Sequence, residues 1–229
     1  MRVGVTGHRP KGLPGGYDIR HASNVAVRRW LVHRLQELRP DEACSGMALG
    51  VDQFFVAACL ICDVPFDAFL PCFGQEQRWP EASQGLYRLL LQRARSYRFT
   101  VAAPYPGQGC MLQRNQDMVD WLAELPGSVL LAVWDGIRQG GTWDCIQRAF
   151  RADSELNVVR FDPKTAQTFR YKRGWVRAEA GDRRDLESLG AIIGPYDNTA
   201  GHFVQCAVDE ASLAVFEGKH KGRFEWGVV

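Results

Sequence analysis

Over its first 161 residues the chain alternates short apolar or β-branched runs with longer stretches in which apolar residues recur at helical spacing. That alternation is the pattern of a parallel sheet covered on both faces, because parallel strands need crossover connections and these are usually helices. Strands are expected at residues 2–6, 42–45, 66–70, 99–102, 128–133 and 158–161. Between them Val27, Leu31, Leu35 and Leu38 form one helical stripe, and Val51, Phe54, Phe55, Ala58 and Cys62 form another. Both stripes are expected to face the sheet. Further helices fit residues 81–94, 111–124 and 142–151, joined by short connections bearing Gly and Pro. The expected fold is α/β, a Rossmann-like doubly wound parallel sheet.

After Pro163 the texture changes. Residues 169–177 are aromatic and basic, residues 182–189 read as one short helix closed by Gly190, and residues 201–229 alternate like antiparallel strands. The organisation read from the sequence is therefore a domain over residues 1–163 and a small α+β appendage over residues 168–229.

With 46% hydrophobic and 24% charged residues in 229, the chain can bury a sizeable core. Its formal net charge of +2 offers no bulk attraction to nucleic acid or membrane. No stretch approaches the roughly 20 apolar residues that span a bilayer. The opening Met1-Arg2-Val3-Gly4-Val5-Thr6 reads as a buried strand and not as a signal peptide, so a cytoplasmic protein is expected. Seven scattered cysteines suit free thiols in a reducing compartment. Cys59 and Cys62 have C-x-x-C spacing but fall on an apolar helix without a second pair, and the five histidines show no metal spacing, so no metal site is expected.

Three loops carry chemistry. The first strand runs into Thr6-Gly7-His8-Arg9-Pro10, followed by Gly12, Gly15 and Gly16; a backbone of this kind permits close approach of a ligand, and Arg9 can meet a phosphate with a forked pair of hydrogen bonds. The same residues also suit an ordinary Gly/Pro loop. The second strand runs into Ser45-Gly46-Met47-Ala48-Leu49-Gly50-Val51-Asp52, a turn into a helix whose N–H groups and dipole favour an anion. The third loop, Trp134-Asp135-Gly136 followed by Gly140-Gly141-Thr142, repeats that arrangement before another helix.

Taken in order, Thr6 to Pro10, Ser45 to Asp52, Gln75-Glu76-Gln77-Arg78-Trp79, Arg114-Asn115 and Gly140 to Thr142 resemble the SLOG superfamily of Rossmann-like proteins, which includes YpsA-like, DprA-like and LOG-type members. The resemblance covers about the first 161 residues. It implies a nucleotide or nucleotide derivative, such as an ADP-ribose or NAD-like molecule, at the carboxyl edge of the sheet. No cofactor is required. The residues it implicates are Thr6, Gly7, His8, Arg9, Ser45, Gly46, Asp52, Trp79, Arg114, Asn115, Asp135, Gly140, Gly141 and Thr142.

Two alternatives follow from the same resemblance. LOG-type phosphoribohydrolases place a catalytic glutamate three residues after the threonine of their glycine-rich loop; here that position is Cys145, with Asp144 one residue early. An enzyme that cleaves or transfers a ribosyl group would need Glu76, Asp135 or Asp144 as its carboxylate. DprA-like proteins bind single-stranded DNA, and Arg170, Lys172 and Arg173 in the basic run would serve that role. Relatives of this kind are often oligomeric, so a homo-oligomer is also expected.

Overall fold

A computed structural model describes residues 1–152, 156–177, 192–197 and 203–219, and divides the chain into two compact units, Met1–Thr168 and Phe169–Val229. In the first unit the strands are β1 (Arg2–Gly7), β2 (Glu42–Ser45), β3 (Phe66–Leu70), β4 (Ser96–Phe99), β5 (Val129–Val133) and β6 (Asn157–Phe161). The helices are α1 (Ala22–Leu38), α2 (Val51–Ile61), α3 (Glu81–Leu91), α4 (Gly109–Ala123) and α5 (Gly140–Arg151). The strands lie in the order β4-β3-β2-β1-β5-β6, with every adjacent pair parallel. This is the Rossmann-like α/β fold.

The order places a switch point between β1 and β5. From β1 the chain moves outward through β2 to β4, then crosses back and leaves from β5 to β6 in the opposite direction. Successive connections therefore diverge at the carboxyl ends of β1 and β5, where open α/β sheets hold their ligands.

Alternation along β1 builds both faces. Val3 and Val5 join the core formed with Val27, Leu31 and Leu35 of α1 and Phe55 and Cys59 of α2. Gly4 points the other way, where an added Cβ would stand 2.7 Å from Leu122 of α4. Gly7 lies so close to α2 that a Cβ there would fall 2.5 to 2.9 Å from the carbons of the Val51 side chain. The hydrophobic stripes of α1 and α2 pack against the sheet largely as expected, with Val27, Leu31, Leu35, Val51, Phe55 and Ala58 buried, while Phe54 and Cys62 are only partly covered.

The expected fourth strand at residues 99–102 is displaced: β4 occupies Ser96–Phe99. The reason is its place at the edge of the six-strand array, where an apolar run is not needed and most of its residues are exposed. Register comes instead from polar contacts. Arg95 donates from Nε and Nη2 to the two carboxylate oxygens of Asp67 on β3 at 3.0 and 2.7 Å, and the Ser96 hydroxyl donates to Asp67 at 2.9 Å. Burial would raise the Asp67 pKa, but these donors hold it below the ordinary carboxylate value.

In the second unit β7 (Thr168–Arg177), β8 (Ile192–Asp197) and β9 (Phe203–Asp209) form antiparallel pairs in the order β7-β9-β8, followed by α6 (Glu210–Lys219). Strand alternation expected from residue 201 onward therefore stops at Asp209. Residues 210–219 are rich in the helix formers Ala, Leu and Glu, with Glu210 in the first turn favouring the helix dipole. The helix expected at residues 182–189, its closing Gly190 and the final residues 220–229 lie outside the described residues.

Gly7→Ala should destabilise the first unit by about 1–3 kcal/mol, because the added methyl meets a stiff β-branched neighbour. Urea unfolding will show it, and the loss should be smaller when measured in a Val51→Ala background. An equal loss in both backgrounds would contradict this packing.

Candidate functional site

The three glycine-bearing turns meet at the carboxyl end of the sheet, together with residues from α4. Gly50 opens the site: its φ of 102° suits glycine, and a Cβ there would stand 2.7 Å from the His8 carbonyl oxygen. The loop after β1 thus lies directly on the start of α2, and Val51 N–H donates to that same carbonyl at 3.3 Å.

The turn after β2 is closed by its own side chains. Ser45, fully buried, accepts from Met47 N–H at 3.1 Å and donates to the Asp52 carbonyl at 3.3 Å. The Asp52 carboxylate accepts from Ala48 N–H at 3.1 Å. The N–H groups of Met47, Ala48 and Val51 are therefore engaged within the protein, and so is the Ser45 hydroxyl.

The open donor comes from α4. Arg114 lies over Gly46 so closely that a Cβ on residue 46 would coincide with its Nη1. Its side chain is only 9% exposed, yet Nε and Nη1 have no hydrogen-bond partner; the nearest carboxylate oxygen is Asp52 Oδ2, 3.7 Å from Nη1. Burying guanidinium N–H groups without acceptors is costly, which sets Arg114 apart from the other candidate residues. Burial pushes the Asp52 carboxyl above its ordinary value, although Arg114, Ala48 N–H and Arg9 each oppose the shift. Arg9 itself is exposed.

Across the switch point, His8 joins the loop after β1 to the turn after β5. Its Nε2 accepts from Asp135 N–H at 3.2 Å and also lies 3.2 Å from Asp135 Oδ1. Lys164 Nζ donates to Asp135 Oδ2 at 2.8 Å. Burial would raise the Asp135 pKa, but Lys164, Ile137 N–H and His8 hold it down. Burial is also the main cause lowering the His8 pKa, outweighing the Asp135 charge. Accepting the Asp135 N–H requires an unprotonated Nε2, which agrees with that direction.

Several expected site residues have structural partners. Asn115 donates to the Gly141 carbonyl at 3.1 Å and to Asp144 Oδ2 at 3.0 Å, tying α4 to α5. Asp144 also accepts from Arg148 at 2.9 Å. Thr6 is buried and its hydroxyl meets the Cys145 thiol, whose pKa burial raises to about 12. Trp79 packs edge-on against Tyr87, with ring centroids 5.4 Å apart. Glu76 lies 3.8 Å from Arg88 with its side chain 14% exposed. By contrast, Gly140 and Gly141 have open space where a Cβ would stand, and no side chain caps α5.

Gln75, singled out in the sequence only as part of the stretch from Gln75 to Trp79, places its amide 3.5 Å from the Gly46 carbonyl and 3.3 Å from the Tyr87 hydroxyl. Sequence reasoning missed the Trp134–Trp143 stack, with centroids 5.2 Å apart and planes 16° apart, beside the third turn. The nine-residue spacing of two tryptophans across a strand-to-helix turn was the available signal. Arg170, Lys172 and Arg173 all lie on β7; the side chains of Lys172 and Arg173 are outside the described residues. Among the described residues no cluster of His, Cys, Asp and Glu fits a metal ion, and no helix is long and apolar enough to cross a membrane.

No protein-family model matches the sequence, and no curated protein matches it. Two solved structures are similar to this chain. DNA processing protein A from Helicobacter pylori, described for its single-stranded DNA binding mode, is 17% identical with a TM-score of 0.46, over 69% of this chain and 64% of that one. DNA processing protein A (DprA) from Streptococcus pneumoniae is 16% identical with a TM-score of 0.49, over 69% of this chain and 49% of that one. The match thus spans less than two thirds of either relative. At this identity the likeness concerns the Rossmann-like fold alone.

The His8 geometry has a pH consequence. A histidine whose folded pKa lies below the unfolded 6.5 contributes stability that is full above pH 6.5 and lost as pH falls through 6.5 toward the folded value. Urea midpoints should therefore decline from pH 7.5 to 5.5, and His8→Gln, which keeps an acceptor for Asp135 N–H, should flatten the decline. An unchanged slope in the variant would contradict the assignment.

Proposed function

We propose that the crevice between β1 and β5 binds the phosphate-bearing part of a nucleotide or nucleotide derivative, and that the protein is a binding or sensing module of the SLOG type. The observation that carries this reading is Arg114, with Nε and Nη1 buried and without acceptors beside the glycine turn that leads into α2. A phosphate supplies acceptor oxygens in the forked geometry that a guanidinium matches. The uncapped start of α5, with open space at Gly140 and Gly141, provides a second place for an anionic or ribose oxygen.

Binding is favoured over ribosyl cleavage by the state of the carboxylates. Where a LOG-type enzyme carries its glutamate, the chain has the buried Cys145, a protonated thiol unsuited to stabilising an oxocarbenium ion. Asp144 is engaged by Asn115 and Arg148, and Asp135 by Lys164. Neither stands free to act as a general base toward a ligand on Arg114, and the third candidate, Glu76, lies 3.8 Å from Arg88.

A thermal-shift series with AMP, ADP, ADP-ribose and NAD, each mixture followed by mass spectrometry, tests the reading. Ligand at about 100 times its dissociation constant should stabilise the protein by roughly 2.7 kcal/mol and remain intact. Arg114→Gln, shown by circular dichroism to be folded, should lose the shift. Release of free base would replace binding with catalysis. No shift with any nucleotide, together with salt-sensitive binding of a single-stranded oligonucleotide, would replace it with the DNA reading.

A further inference from the structure

We propose that Asp52 is a specificity residue of this crevice, admitting a phosphate that carries a proton, as the end of a phosphate monoester does, and disfavouring phosphodiesters and sulfate. The inference rests on the reading that Arg114 anchors a phosphate, and narrows the nucleotide to one with a terminal phosphate, so that AMP and ADP are bound in preference to ADP-ribose and NAD.

Two buried charges share one spot. Asp52 Oδ2 and Arg114 Nη1 are 3.7 Å apart, with side chains 7% and 9% exposed. An oxygen that accepts from Nη1 becomes a close neighbour of the Asp52 carboxylate. Oδ2 already accepts from Ala48 N–H, which fixes the carboxylate in place instead of letting it swing away. Around it stand Arg114 from α4 and Arg9 from the loop after β1. The thiols Cys44 of β2 and Cys145 of α5 also face the pair, and burial raises both pKa values, so neither adds a charge near neutrality.

A fully ionised ligand would therefore set an anion against a fixed, buried carboxylate, a juxtaposition that disfavours both. A ligand that brings its own proton removes the conflict: its P–O–H donates to Asp52 while its remaining oxygens accept from Arg114. Phosphate monoesters lose their second proton with a pKa of about 6, so a substantial share of the ligand carries that proton near neutrality. Phosphodiesters and sulfate carry none there.

The test compares inorganic phosphate with sulfate, matched in shape and differing in that proton, by calorimetric titration at pH 6, 7 and 8. A second comparison uses AMP against its methyl ester. Wild-type protein should bind phosphate about tenfold or more tightly than sulfate at pH 7, a difference of about 1.4 kcal/mol. Its affinity for AMP should fall as pH rises above about 6, as the ligand proton is lost, and its affinity for inorganic phosphate should fall likewise as that anion loses its second proton. Asp52→Asn should bring the two anions close to equal and admit the methyl ester. Equal binding of both anions by the wild type, abolished by Arg114→Gln, would overturn the role of Asp52 while leaving the Arg114 site intact. Absence of binding by either anion and by AMP, or binding indifferent to Arg114→Gln, would overturn both.

Discussion

The guanidinium of Arg114, lodged where any side chain on residue 46 would stand, is the contact around which the candidate site is organised. It requires glycine at the end of β2, brings α4 across to the start of α2, and places a cation beside the buried carboxylate of Asp52. Two nearby acceptors, Ser45 Oγ and Asp52 Oδ2, already receive the N–H groups of Met47 and Ala48, so little local hydrogen bonding remains for that cation. The protein thus carries a preformed donor in a low-dielectric crevice, where a charge-assisted hydrogen bond is stronger than in water.

The surrounding contacts keep the crevice in shape without competing for an anion on Arg114. His8 and Asp135 hold the lips of the switch point together, and Lys164 neutralises Asp135 from the loop after β6. Asn115 and Asp144 hold the middle of α4 to the first turns of α5. Residues that look like ligand contacts in the sequence thus fall into two groups: Arg114 carries buried nitrogens without an acceptor, whereas Asn115, Ser45 and Thr6 are bonded within the protein.

Much of the fold was legible in the sequence because buried parallel strands and their covering helices follow strict apolar periods. The bounds of β2 and β3 match the expected runs, since both strands are flanked on each side and largely buried. The edge strand β4 escaped that reading because its register depends on Asp67 meeting Arg95 and Ser96, an interaction between residues about 30 positions apart that leaves no periodic trace. The same limit applies at the site. Glycine spacing pointed to the turns, but whether a donor is open or engaged depends on partners such as Asp52 for Ala48 and Gly141 for Asn115, which only folding brings into reach. Trp79 illustrates the point, since its packing against Tyr87 is set by α3.

The central claim is that the buried nitrogens of Arg114 receive a phosphate oxygen. The most direct measurement is a crystal structure of the full chain grown with a nucleoside monophosphate. The account predicts phosphate density within hydrogen-bonding distance of Arg114 Nε or Nη1, over Gly46 and beside Asp52. Density for the nucleotide elsewhere, with Arg114 still lacking an acceptor, would contradict it.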